Sequence, residues 1–443
     1  MKISAPQNPN YAATVVEIKT IVPLPNCDNV VHAIIMGNKV VTSNETKIGD
    51  IGLYFPVEVE LSKEYLSANN LYNKPENNND KEKKGYFDLN GRIRCQKFRG
   101  NSSEGLFMPI SSLNFTGINV NELSLNDSFD ELDGTPICKK YVIKKHTPGI
   151  GGTKKSRDPK ISKLIDNQFK FHLDTEQLFR NLDKVNPTDI ISITYKIHGT
   201  SFIASHILCK KPLRWFEKVF KFIKINIVDT CYDYVWSSRK VVKNADLNPN
   251  AEHFYGMDIW GIAHKDVQEF LQEGITIYGE IAGYTPTGGA IQGEFDYGCK
   301  PNEHINYIYR ITHTNIKGKV FEFSAKQVQD FCHENGLIPV PQLYYGYARD
   351  FYDDMVSDMI PNGKSVKLSD FDIEQWRDGF LQAVKAKYNE KDCYLSKNKV
   401  PEEGCVIRIE KNRFEAYKCK SIRFLEWESK KLDKGVPDIE SEN

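Results

Sequence analysis

From Tyr11 to Leu113 the chain is a succession of short apolar-rich runs, ATVVEIKTIVPL, VVHAIIMGNKVVTS, GDIGLYFPVEVEL, GRIRCQKFRG and GLFMPI, broken by Gly, Asn and Pro. Runs of this length between turn residues predict strands, and many short strands in succession predict a small closed barrel. Asn73 to Lys84 (NKPENNNDKEKK) interrupts them without an aliphatic or aromatic side chain. With nothing to bury, it is expected to be a solvated loop between barrel strands. No repeat of fixed period is visible, which argues against a solenoid or propeller.

A chain of 443 residues is longer than one barrel, and at roughly 100 to 200 residues per domain it predicts two or three domains. Its 40% hydrophobic and 12% aromatic content is enough for real cores and excludes a disordered chain. Lys+Arg 59 balance Asp+Glu 59, so a histone-like polycation is excluded while a locally basic groove is not. No apolar run approaches the ~20 residues of a membrane helix, and the opening MKISAPQNPNY lacks the apolar stretch of a signal peptide. The expectation is a soluble intracellular protein, cytoplasmic or nuclear, with no membrane partner. The ten cysteines include no C-x-x-C pair; they are expected to be reduced and mainly buried.

Lys139 to Lys160 carries eight Lys or Arg against one acid, Asp158, around a central PGIGG. This marks a basic linker between domains. Its GIGGTKKS segment fails as a phosphate-binding loop, because Lys154 stands where G-x-x-x-x-G-K-[ST] requires its second glycine. Beyond it, DTEQLFRNLDKV has helical character, and mixed strands and helices continue to about Glu428. PLRWFEKVFKFIKI, opened by Pro212, interleaves aromatic and basic residues. It predicts an amphipathic helix with its aromatics in a core and its lysines in water; contact with nucleic acid is the second reading. The expected division is a barrel over 1–140, a linker over 141–160, a catalytic unit over 161–428 and a frayed tail over 429–443.

The chemistry concentrates in four places. In DIISITYKIHGTSF a β-rich run ends at Tyr195, a glycine turn falls at Gly199, and an extended pattern resumes. Lys196 is thereby held at the mouth of a strand-turn-strand element, where a neutral amine could attack phosphorus; taken alone it reads as a solvated lysine. VWSSRKV offers Arg239 as a phosphate clamp. ITIYGEIAG is an apolar strand expected to deliver Glu280 at its end. EEGCVIRIEKNRFEAYKCKS reads as a hairpin turning at Lys411 and Asn412, with Lys420 opposite Glu403 and Lys418 opposite Cys405; in any register the period of two puts Lys418 and Lys420 on one face. Each residue alone could be plain solvated charge. Together a nucleophilic lysine, an arginine, two carboxylates and a lysine pair suit nucleotidyl transfer, with the cations neutralising phosphate and the carboxylates holding a metal or its waters.

KIHGTS, SSRK, YGEI, IYRIT, EEGCVIRI and YKCKS also follow the order of motifs I, Ia, III, IIIa, IV and V of the covalent nucleotidyltransferases. From about Phe171 to Lys420 the chain resembles that family of RNA ligases, DNA ligases and capping guanylyltransferases. The resemblance implies that Lys196 forms lysyl-AMP, that Arg239 contacts nucleotide or nucleic-acid phosphate, and that Tyr309 stacks on adenine. It implies that Glu280 binds ribose or metal, that Glu403 is a metal-shell carboxylate, and that Lys418 and Lys420 grip the α-phosphate. His198 replaces the Asp of the usual K-x-D-G, and a neutral imidazole cannot supply that charge.

Only 23 residues follow Lys420, too few for the further domain expected of DNA ligases and capping enzymes. A barrel placed first resembles instead the RNA ligases with an N-terminal OB domain and a C-terminal adenylyltransferase domain. The implied fold class is therefore α+β: an OB-like barrel, then a mixed α/β nucleotidyltransferase domain built on antiparallel sheets. Arg92, Arg94, Lys97 and Arg99 are candidates for the barrel's nucleic-acid face, at most one alternating pair touching the strand. The implied function is a monomeric, ATP- and Mg²⁺- or Mn²⁺-dependent RNA ligase joining 3′-OH and 5′-phosphate ends, sealing nicks in RNA repair. The barrel is expected to serve sealing and not adenylation. The alternatives are a DNA ligase and a non-catalytic RNA-end binding module.

Overall fold

The computed structural model describes residues 3–25, 27–143, 163–249, 251, 253–359 and 372–435. The GIGGTKKS segment and most of the basic linker lie outside them. The N-terminal part is strand-rich, as the short runs predict. Strands Ala13–Glu17, Ile51–Pro56, Gly105–Pro109 and Ser128–Phe129 make a four-stranded sheet, and Thr20–Pro23, Val30–Ile35 and Asn38–Ser43 a three-stranded one. The strands are thus shared among separate sheets and two-stranded ribbons rather than one continuous closed sheet. Val15, Leu53, Phe55, Tyr65 and Phe129 fill the main core between them.

Two details differ from the reading of the sequence. The polar 73–84 segment is tied down by Asn78, which is fully buried. Its side chain accepts from Tyr72 N–H and donates to the carbonyls of Tyr72 and Lys83. A polar residue can be buried when backbone groups satisfy all of its hydrogen bonds. DTEQLFRNLDKV forms a two-residue strand and two 3₁₀ turns, Leu178–Arg180 and Leu182–Lys184, rather than an α-helix.

The second part consists of two sheets facing each other. One has the order Glu176–Gln177, Ala416–Lys420, Gly404–Ile409, Ile190–Tyr195, Gln342–Tyr347. All its pairings are antiparallel except the short parallel one between Glu176–Gln177 and Ala416–Lys420. Alternation decides what each face carries. Ile191, Ile193, Cys405, Ile407, Tyr417 and Cys419 point outward and pack under helix Ile373–Tyr388 through Trp376, Phe380 and Val384. Their neighbours Ser192, Thr194, Val406, Arg408, Ala416 and Lys418 point inward. The other sheet runs Thr230–Ser237, Thr200–Lys210, Ile275–Gly283, His304–Thr314, Val320–Glu322. Helix Ile259–Val267 covers its outer face, with Trp260 and Ala263 against Phe202, Ala204 and Ile277. ITIYGEIAG reads as almost continuously apolar because all nine residues of this strand are buried.

All ten cysteines are thiols, eight of them buried. No helix among the described residues is long and apolar enough to cross a membrane.

Candidate active site

The inward faces of the two sheets line a cleft of about 110 Å³. Lys196 to Gly199 is the crossing from one sheet to the other: strand Ile190–Tyr195 belongs to the first, strand Thr200–Lys210 to the second. Three of the crossing's four residues are held by hydrogen bonds. Lys196 N–H donates to Gly404 O at 2.9 Å, His198 N–H to Tyr297 Oη at 2.6 Å, and Gln292 Nε2 to Gly199 O at 2.8 Å. Gly199 is required by proximity, since a Cβ there would lie 2.2 Å from Ile281 O and 2.8 Å from Glu280 Cγ.

Lys196, Arg239, Glu280, Tyr309 and Lys418 all line this one cleft. Lys196 Nζ is 2.8 Å from Glu403 Oε1, an ion pair whose lysine side chain is 14% exposed and whose carboxylate is buried. Arg239 is aimed by Asp174, which accepts from Nε at 2.8 Å and lies 2.5 Å from a terminal guanidinium nitrogen. Burial raises the Asp174 pKa, but Arg239 prevails and the carboxyl lies below its ordinary range. Glu280 accepts from Ser201 Oγ at 3.0 Å, the residue opposite it on the neighbouring strand. It is the sixth of nine strand residues, not the last; Gly283 ends the strand with φ +96°. Tyr309 Oη lies 2.9 Å from His172 Nδ1.

The other predicted residues stand beside the cleft rather than on its wall. His198 is buried edge-on against Phe295, Phe424 and Trp427, at centroid distances of 4.8, 5.0 and 5.7 Å, with Nδ1 3.8 Å from Glu403 Oε2. Lys420 Nζ is 3.8 Å from Glu403 but bonded to both oxygens of Glu428, at 3.0 and 3.1 Å. Glu428 lies on the C-terminal helix Ile422–Asp433, beyond the last motif, where the sequence offers no signal for it. Burial alone would raise its pKa; Lys420, His198 and Lys196 outweigh that and hold it below the ordinary glutamate range.

The hairpin register is off by one residue from the expectation. Lys420 is opposite Gly404, Cys419 opposite Cys405 and Lys418 opposite Val406. The connection is the six residues 410–415, closed by Ile409 N–H to Glu415 O, so Lys411 and Asn412 are not a two-residue turn. Sequence reading also missed His172, Asp174, Arg408 and Phe414. The first two precede the strand pattern, and the last two read as ordinary strand and loop residues.

Three of the four basic candidates of the N-terminal part, Arg92, Arg94 and Lys97, are engaged in ion pairs. Arg92 is 2% exposed, 3.3 Å from Glu58 and 3.2 Å from Asp433, and it donates to Ser429 O. Arg94 pairs with Asp88 and Asp433, and Lys97 with Glu426. Arg92 therefore joins the two parts of the chain instead of facing a strand of nucleic acid. Residues 429–433, expected to fray, are the last turns of the C-terminal helix; 436–443 lie outside the described residues.

Among the described residues, no three His, Cys, Asp or Glu side chains converge on a metal position. Two buried carboxylates, Glu280 and Glu403, flank the cleft and its lysine. Mg²⁺ commonly takes one or two carboxylates and completes its shell with substrate phosphates and water. The pair fits a metal arriving with a nucleotide better than a resident ion.

The class of protein this architecture defines is an α+β chain with an N-terminal OB-fold domain followed by a cleft between antiparallel sheets; residues 12–110 match the family described as OB-fold domain. Over 94% of its length the chain has the fold of a Naegleria gruberi RNA ligase solved with ATP and Mn, covering 98% of that chain at 18% identity and a TM-score of 0.54. The same protein solved with PPi is matched to the same extent, at 18% identity and a TM-score of 0.54. So is its form with AMP and Mn, again at 18% and 0.54. A sequence search of curated proteins finds no match.

Proposed function

We propose that this chain is an ATP-dependent RNA ligase acting through a covalent lysyl-AMP. The observation that carries the reading is the cleft in which Lys196 meets Glu403 at 2.8 Å while Arg239, Glu280, Tyr309 and Lys418 line the same space. That it occurs in a fold shared with an RNA ligase supports the reading.

In the first step Lys196 Nζ attacks the α-phosphorus of ATP, the N–P bond forms, and pyrophosphate leaves. The ammonium must first lose a proton to solvent, and Glu403 at 2.8 Å orients it. Lys418 and Arg239 offset the phosphate charge as it shifts toward pyrophosphate, and the Tyr309 ring offers a face to adenine. Mg²⁺ or Mn²⁺, held by Glu280 and Glu403 with the nucleotide's phosphates, would supply further charge neutralisation. AMP then passes to a 5′-phosphate, and a 3′-OH displaces it. The substrate would be RNA ends or a nicked duplex with RNA on the 3′-OH side, in RNA repair. The division of labour would be an end-binding OB domain over 1–140 and an adenylyltransferase unit after the linker, in a monomer.

Intact mass after incubation with ATP and Mg²⁺ or Mn²⁺ tests the first step. Wild type should gain one AMP, and Lys196→Ala none. Absence of the adduct with either metal, in folded protein not already adenylated, would favour the end-binding module. Comparing RNA and DNA 3′-OH strands in a sealing assay separates RNA ligase from DNA ligase.

A further inference from the structure

The run expected to place its aromatics in a core does not do so. Helix Trp215–Phe222 lies between paired strands Thr200–Lys210 and Thr230–Ser237, beyond their last pair, Lys210 with Thr230. None of its residues is buried. Trp215 is 77% exposed, Phe222 86% and Val228, just after it, 76%; Val219, Phe220, Ile223 and Ile225 are exposed as well. The spacing of Trp215, Val219, Phe222 and Ile223 puts them on one side of the helix, with Glu217, Lys218 and Lys221 on the other. An apolar surface of this kind left in water marks a place of association.

Charge limits what the partner can be. Between 210 and 229 there are six cations, Lys210, Lys211, Arg214, Lys218, Lys221 and Lys224, against Glu217 and Asp229, in a chain whose charges balance overall. Both carboxylates are engaged locally, Glu217 with Lys211 at 2.8 Å and Asp229 with Lys221 at 2.6 Å. The complementary surface is therefore both anionic and apolar. A nucleic-acid duplex supplies phosphates but hides its bases, leaving Val219, Ile223, Ile225 and Val228 without contacts. A second copy would bring one basic fringe against another. An anionic bilayer satisfies both requirements, with acyl chains for the apolar face and headgroups for the lysines.

We infer that Trp215 to Val228 docks this protein reversibly on anionic phospholipid membranes, the helix lying in the plane of the headgroups. Strand Thr200–Lys210 begins at the cleft and ends at this helix, so at ~3.4 Å per residue the nucleotide site stands roughly 30 Å from the lipid and stays open to its substrate. A single amphipathic helix gives weak, salt-sensitive attachment.

The test is flotation of the full chain with phosphatidylcholine vesicles, with and without phosphatidylserine. The inference expects roughly tenfold or greater enrichment on the anionic vesicles, falling as salt rises. Trp215 emission should shift to the blue, and Trp215→Phe should remove most of that shift while keeping attachment. The double variant Trp215→Asp, Phe222→Asp should lose attachment with an unchanged melting temperature and unchanged AMP adduct formation. No enrichment of wild type on anionic vesicles would overturn the inference. So would a double variant that still floats, one that instead loses affinity for duplex RNA, or a wild type that dimerises through this helix.

Discussion

Glu428 shows how much of the site depends on single contacts far apart in sequence. Lys420 is flanked by Glu428 and Glu403, and Glu403 is also the partner of Lys196. Replacing Glu428 with Gln removes the charge that draws Lys420 away, so Lys420 should compete with Lys196 for Glu403. A charge-assisted hydrogen bond of about 1.5 to 3 kcal/mol predicts a roughly 10- to 100-fold slower adenylation. The pH–rate profile should move with it, and Glu428→Asp should restore part of the rate; an unaltered profile would leave Glu428 with a merely structural role. Lys196, Arg239, Glu280, Tyr309 and Lys418 are legible in the sequence because motif order and strand period place them. Glu428 is not, because only packing of the last helix brings it to Lys420.

At the scale of elements, periodicity predicted strands and faces well and partners less well. The inward direction of Lys418 and the outward direction of Cys405 and Cys419 follow from alternation alone, whereas the register followed from a six-residue loop and from Gly404. That glycine has φ +134°, and a Cβ on it would lie 2.1 Å from Cys419 O. Gly404→Ala should therefore cost about 2 kcal/mol or more, measured by urea unfolding, and should also slow adenylation, since Gly404 O anchors Lys196 N–H. The Trp215–Phe222 helix is the converse case. Its amphipathic pattern is plain in sequence, but a pattern states which face is apolar and not what covers it.

Across the whole molecule, the N-terminal part is fastened to the second by buried and half-buried polar contacts. Arg180 donates to Thr14 Oγ1 and Ala12 O, Lys385 reaches Gly37 O, Asn38 and Glu104, and Ser429 Oγ bonds to Glu58. Removing residues 1–160 would strip all of these, so it is a blunt test of whether the barrel serves only sealing. Arg92→Met is sharper. It should lower stability by roughly 3 kcal/mol in thermal or chemical unfolding, because buried Glu58 and Ser429 O lose their partner. Affinity for RNA should stay unchanged, whereas a strand-contacting arginine would show the opposite.

Glu58, in the same contact, adds a pH dependence. Burial and the nearby Glu428 raise its pKa to about 7 despite Arg92. The folded state thus holds a proton that the unfolded state releases near the ordinary glutamate value of 4.5, and the associated stability is lost as pH rises through about 7. Melting temperatures measured across that interval should fall for wild type and flatten for Glu58→Gln. The strand-rich first third, the alternation of faces and the residue types of the cleft were legible from the amino acids alone, because those depend on local geometry and period. Packing set the hairpin register, the capture of Arg92 between the two parts and of Glu428 by Lys420, and the exposure of the Trp215 helix. Each depends on which distant surface is available to be covered.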